Sequence, residues 1–92
     1  MMEETYYEKL QKAIKSKDSE SLKNILEMLL EENGIFLYEK PLFIRTIFSE
    51  NIPTLHGYIG PGIVLELYYP SWKLTIYVSK RDNRVETYIY RE

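Results

Sequence analysis

Along the first third of the chain, apolar residues recur at helical spacing. Tyr6, Leu10, Ala13 and Ile14 fall on one side of a 3.6-residue period, and Lys17 continues the row. Thr5-Tyr6-Tyr7-Glu8 fits the capping box, in which a threonine hydroxyl and a glutamate three residues on satisfy each other's orphan backbone amides. The pattern predicts a helix over about 4–16. Lys17-Asp18-Ser19-Glu20 breaks it, and Asp18 or Ser19 can cap the next helix. Leu22, Ile25, Leu26, Leu29 and Leu30 then make one apolar stripe, while Glu20, Glu27, Glu31 and Glu32 lie off it. This second helix is predicted over about 19–33, ended by Asn33-Gly34, with Gly34 suited to the left-handed position after a helix. Two helices joined by so short a break pack as a hairpin or a bent pair.

From residue 35 onward the period shortens to two. Ile35 to Tyr38 predicts a short strand over 35–38, followed by a turn at Glu39-Lys40-Pro41. Residues 42–48 are rich in β-branched and aromatic side chains and predict a second strand, with a short helix starting at Pro41 as the alternative. Asn51-Ile52-Pro53 closes this segment. His56 to Gly62 holds three of the four glycines and reads as a loop or a strongly bulged strand start. Three further strands are predicted over about 63–69, 72–80 and 84–92.

The connections between these last strands fix their register if each is a two-residue loop. With Pro70-Ser71 as the first loop, Tyr69 faces Trp72, Leu67 faces Leu74, Leu65 faces Ile76 and Ile63 faces Val78. With Asp82-Asn83 as the second, Arg81 faces Arg84, Val78 faces Thr87, Ile76 faces Ile89 and Thr75 faces Tyr90. A slip of one residue exchanges the two faces of a strand, so agreement across three strands is a demanding test. One face collects Ile63, Leu65, Leu67, Tyr69, Trp72, Leu74, Ile76, Val78, Val85, Thr87 and Ile89. That face is the expected core, covered by the leucine stripe of the second helix. The other collects Val64, Glu66, Tyr68, Lys73, Thr75, Tyr77, Ser79, Glu86, Tyr88, Tyr90 and Glu92, which suits an antiparallel sheet with one wet side. The expectation is an α+β domain in which an N-terminal helical pair packs on one face of an antiparallel meander of three to five strands.

Composition sharpens this picture in a few places. A chain of 92 residues makes a single domain over 1–92. Its formal net charge of −2 argues against a protein built mainly to wrap nucleic acid. Without cysteine there are no disulfides and no thiolate ligands, and a reducing, cytoplasmic setting is expected. The N-terminal residues lack a basic stretch followed by an apolar one, so no secretory signal is expected. No apolar run is long enough to cross a bilayer, so no membrane partner is expected. Abundant Glu, Lys, Ile and Tyr beside a single glutamine resembles the composition of proteins from hot-living organisms, or the bias of a low-GC genome.

Candidate chemistry centres on the second sheet face. Tyr68, Tyr77, Tyr88 and Tyr90 stand there among Glu66, Glu86 and Glu92. Tyrosine is a good strand former and suits an exposed sheet. It is also a rigid interface residue with an apolar body and a polar tip. Neighbouring carboxylates favour a protein partner with a basic surface and repel phosphate, and a homodimer through the face is equally compatible. As an alternative, Lys80, Arg81 and Arg84 at a hairpin tip suit a nucleic-acid contact, or simply a solvated turn. The lysines of the first helix are offset by neighbouring acids.

Elsewhere the chemistry is thin. His56, the only histidine, has no second histidine or cysteine to share a metal and no evident orienting group for base catalysis. Gly57, Gly60 and Gly62 precede a strand, not the helix a phosphate cradle requires. Glu66 and Glu86 on a flat face lack the cleft that acid–base catalysis uses. A small ligand-binding or enzymatic domain using residues 56–62 remains the third possibility. No cofactor and no metal are expected.

Helices first, then a meander with an acidic, aromatic face: in size and layout this outline resembles several small inhibitors from viruses and mobile elements, including anti-CRISPR proteins. The resemblance implies a non-catalytic, stoichiometric inhibitor that occupies a basic surface on a host protein.

Overall fold

The structure, a computed structural model, describes residues 4–53, 57 and 59–91. Helix α1 spans Tyr6–Lys15, and the capping box forms as the sequence predicts, with Glu8 N–H donating to Thr5 Oγ1. It ends in a Schellman motif: Asp18 N–H bonds Ala13 O (3.0 Å) and Lys17 N–H bonds Ile14 O (3.2 Å), with Lys17 in the left-handed region. Asp18 caps α2, which spans Ser19–Glu32. A second Schellman motif closes α2. Ile35 N–H reaches Leu30 O (2.8 Å), Gly34 N–H reaches Glu31 O (3.0 Å), and Gly34 has φ +79°.

This second cap overturns the strand expected at 35–38. Ile35 is tethered to the end of α2 and packs on the core, after which Phe36 to Lys40 run exposed without regular structure. A chain segment needs a neighbouring ladder to become a strand, and among the described residues none lies alongside. The residues from 43 are strand, not helix. β1 spans Phe43–Pro53, β2 Ile59–Tyr68, β3 Trp72–Ser79 and β4 Val85–Arg91. Among the described residues they form one antiparallel meander in the order β1-β2-β3-β4.

β2 begins earlier than the sequence suggests. Ile59 and Gly60 pair with Pro53 and Ile52, and the register shifts between Ser49 and Ile52. The bulged strand start is therefore what forms, and residues 59–62 are not a loop. His56 lies outside the described residues.

The β2–β3 register is the one expected, and Tyr69 N–H closes the turn on Trp72 O (2.9 Å). The β3–β4 register is not. Val78 faces Val85, Ile76 faces Thr87 and Thr75 faces Tyr88. Ser79 N–H closes on Arg84 O (2.9 Å), so Lys80 to Asn83 make the loop. A two-residue type I′ turn requires positive φ at both central residues, whereas Asn83 is left-handed and Asp82 is not. The displacement is two residues, which is one full pleat, so both faces survive it.

The helices lie on the face that carries Ile63, Leu65, Leu67, Leu74, Ile76 and Val78, all buried together with Tyr7, Leu10, Leu26, Leu29 and Leu30. Each aliphatic side chain fully buried there contributes roughly 1.5–3 kcal/mol. Coverage is centred on β2 and β3. On β4, Val85 and Thr87 are half-buried and Ile89 is 58% exposed, so the assignment of Ile89 to the core is corrected.

Candidate functional site: the aromatic face of the sheet

Strand pairing turns the second sheet face into rows. Phe43, Tyr68, Lys73 and Tyr90 form one row across the four strands. Arg45, Glu66, Thr75 and Tyr88 form the next, then Ile47, Val64, Tyr77 and Glu86. All six residues expected to form a protein-binding site, Glu66, Tyr68, Tyr77, Glu86, Tyr88 and Tyr90, therefore share one side. β1 adds Phe43, Arg45 and Ile47, whose side the sequence pattern leaves open. In the segment 43–48 both alternating sets contain large apolar residues, so polarity alone does not say which set faces the helices.

Ring contacts knit the rows together. Phe43 stacks on Tyr68 at 4.3 Å between centroids, and Tyr77 meets Tyr88 edge-to-face at 5.4 Å. The Lys73 ammonium sits between two phenol rings, 5.6 Å from that of Tyr68 and 5.3 Å from that of Tyr90. Beneath these rings Thr75 is buried, and its Oγ1 has no hydrogen-bond partner among the described residues. Burial also pushes the Tyr77 phenol up from its ordinary pKa.

The electrostatics differ from the expectation of an acidic face. Glu66 is only 9% exposed and accepts a hydrogen bond from Lys73 Nζ at 2.8 Å, with Arg45 Nη1 at 3.7 Å. The Lys73 hydrogen bond holds the Glu66 carboxyl below the usual range and raises Lys73 in return. Burial opposes the shift on both groups. Two cations thus neutralise the central carboxylate. Glu86 accepts from the Tyr88 hydroxyl at 3.1 Å. With Arg45 and Lys73 set against Glu66 and Glu86, the described part of the face is balanced in charge.

The row of Phe43 and Tyr90 is the most exposed part of the face. Phe43 is 56% and Tyr90 52% exposed there. Leu42, whose N–H bonds Tyr68 O, is 68% exposed, and Phe36 and Tyr38 in the segment before it are 60% and 96% exposed. The Tyr69 hydroxyl donates to Glu39 O at 3.3 Å and ties this segment to the β2–β3 turn. The opposite end is closed by Ile52, which lies against Gly62. The four strands span roughly 14 Å and the three rows about as much.

The basic hairpin tip is engaged largely with the fold itself. Tyr6 N–H, at the start of α1, donates to Asn83 Oδ1 at 2.7 Å. The Lys80 ammonium lies 5.5 Å from the Tyr7 ring, and Arg84 pairs with Asp82 at 3.6 Å. Arg81 points to solvent. Among the described residues no group of acidic and histidine side chains is arranged to hold a metal ion, and no helix is long and apolar enough to cross a membrane. Compared with protein-family models, curated proteins and solved structures, the chain finds no match.

Proposed function

We propose that this chain is a non-catalytic protein-interaction module that captures a partner protein through the aromatic face of its sheet. The observation that carries the reading is the placement of Phe43, Tyr68, Tyr77, Tyr88 and Tyr90 on the side opposite both helices. Phenols lose little conformational freedom on burial and offer both apolar area and hydrogen bonds, which is what a recognition surface needs. Because Glu66 is already neutralised by Lys73 and Arg45, the partner surface that fits is flat, mostly apolar and rich in hydrogen-bonding groups. It need not be strongly basic. A small inhibitor that occludes a host-protein surface in the cytoplasm is the specific form this takes, and the cysteine-free composition suits that compartment.

Affinity capture from lysate of the source cells, read by quantitative mass spectrometry, tests this reading. The wild-type protein is compared with Tyr77→Ala/Tyr88→Ala and with Phe43→Ala/Tyr90→Ala, each checked for folding by circular dichroism. One protein should be enriched by the wild type and lost with both folded variants. Retention of that protein by both variants refutes the face as the site. Capture that disappears on nuclease treatment and falls steeply with salt would move the site to Lys80, Arg81 and Arg84 and the partner to nucleic acid.

A further inference from the structure

The two edges of the sheet are not equivalent. Natural sheets guard their edge strands with bulges, prolines, charges or covering elements, because an open ladder recruits another strand. β1 carries such guards: its register shifts between Ser49 and Ile52, it ends in Pro53, and Arg45 stands exposed along it. β4 has neither a bulge nor a proline, and its charged residues, Glu86 and the terminal Arg91, leave Val85, Thr87 and Ile89 as an uncharged run on the helix side. It pairs with β3 over its whole length without a register shift, contains no proline or lysine, and has no described strand on its outer side.

Ladder alternation identifies the groups on that outer side. Since Arg84 bonds toward β3 through Ser79, the residues Glu86, Tyr88 and Tyr90 do likewise, and Val85, Thr87, Ile89 and Arg91 point their N–H and C=O groups outward. Exposure of Ile89 on the helix side of the same strand leaves apolar surface uncovered beside this open ladder.

We propose that β4 pairs with β4 of a second copy of this chain, antiparallel about a two-fold axis, joining two four-stranded sheets into one. The inference is independent of the partner-capture reading. One register overlaps the entire strand. Tyr88 then sits on the axis opposite Tyr88 of the second copy, and Glu86 faces Tyr90. Thr87 faces Ile89, and Val85 faces Arg91. Every directly opposed pair joins residues of the same face, as antiparallel pairing demands, and no like charges meet. The outward N–H and C=O groups of Val85, Thr87, Ile89 and Arg91 fall in the hydrogen-bonded pairs. The two Ile89 side chains become diagonal neighbours at roughly 7–8 Å and cover each other's exposed surface. Edge pairing also makes the two aromatic faces continuous across the axis. A register displaced by two residues, centred on Ile89, pairs only Thr87 to Arg91 and so forms a shorter ladder.

An interface of one short strand is small, so association is expected in the micromolar range. Sedimentation velocity should show a species of twice the monomer mass at ~100 μM that dissociates on dilution to ~1 μM. Ile89→Lys changes an exposed residue, and Thr87→Pro removes an N–H that the ladder directs away from β3. Each should give a folded monomer at ~100 μM.

The absence of native cysteine makes a positive test clean. Tyr88→Cys places two thiols on the axis, within the Cα separation a disulfide accepts. Mild oxidation should yield a cross-linked dimer, whereas Tyr77→Cys, one strand further in, should not cross-link. A protein that stays monomeric at ~100 μM overturns the proposal. So does a dimer that survives both edge variants, or one that cross-links through Tyr77→Cys in preference to Tyr88→Cys.

Discussion

Gly62→Ala is the perturbation whose cost can be worked most directly from the geometry. Gly62 lies in β2 between Ser49 and Ser79, where the bulge of β1 folds Ile52 across it. A Cβ built there would stand 2.4 Å from Val78 O and 2.5 Å from Ile52 Cδ1. Ordinary contact begins near 3.4 Å, so each neighbour must retreat by about an ångström. Ile52 is buried at 1% exposure, and Val78 O belongs to the backbone of a central strand, so neither can swing aside. Overpacking of this kind costs about 1–3 kcal/mol, and the backbone collision places Gly62→Ala at the upper end. For a domain of this size ~3 kcal/mol lowers Tm by roughly 12–24 °C. Urea unfolding should show a lower midpoint with an unchanged m-value. Ile52→Ala alone should cost about 2–5 kcal/mol through its cavity. In the double variant the Ile52 collision is gone while the Val78 collision remains. The combined loss should therefore fall short of the sum by at least ~1 kcal/mol. A Gly62→Ala protein within ~0.5 kcal/mol of wild type, or a strictly additive cycle, refutes the packing described for this end of the face.

Other expectations rest on single groups. Glu66 has a depressed carboxyl pKa through Lys73, so its contribution is present above the unfolded value and lost as pH falls through the folded one. Glu66→Gln should cost about 1–3 kcal/mol near pH 7 and flatten the acid limb of a stability-versus-pH curve below about pH 4; an unchanged limb contradicts the ion pair. Thr75→Val replaces a buried hydroxyl with no partner among the described residues by a methyl of the same shape, and urea unfolding should show a protein as stable as wild type or up to ~1 kcal/mol more stable. The Tyr6 hydroxyl donates to a Glu32 carboxylate oxygen, and that hydrogen bond pushes its pKa up to about 12. Its contribution is complete below the unfolded value near 10 and is lost as pH rises through about 12, so Tyr6→Phe should weaken the fold at pH 8 and lessen its decline in alkali. A wild-type and a Tyr6→Phe curve that run parallel up to about pH 12 would rule this out.

Much of the fold was legible because local signals agreed with one another. The capping box at Thr5, the Asp18 cap, the Gly34 terminator and the leucine stripe each act within a few residues, and each forms. The face assignment of Ile63 to Tyr90 was legible for a different reason, since period-two alternation is insensitive to a two-residue error in a hairpin. What stayed hidden depended on relations between distant segments. Ile35 to Tyr38 has strand-like residues, but among the described residues no strand lies beside it. Ile89 alternates correctly yet sits beyond the reach of the helices. Asn83 looked like half of a tight turn, and its side chain instead caps the first helix 77 positions away in sequence. At the candidate site, the four tyrosines and two glutamates were found from alternation, whereas the neutralising roles of Arg45 and Lys73 required the cross-strand register. Arg45 meets Glu66 only because β1 pairs with β2 in one particular alignment.

The claim on which the functional reading rests is that the helices lie on one side of the sheet while Phe43 and Tyr90 stand exposed on the other. Hydroxyl-radical footprinting of the free protein, with modified residues located by mass spectrometry, measures this directly. Phe43 and Tyr90 should oxidise rapidly, while Tyr7, Tyr69, Leu65, Leu74 and Ile76 should be protected until the protein is unfolded. Protection of Phe43 and Tyr90 to the level of Tyr69, or rapid oxidation of Leu74 and Ile76, would mean that the sheet is covered on the opposite side.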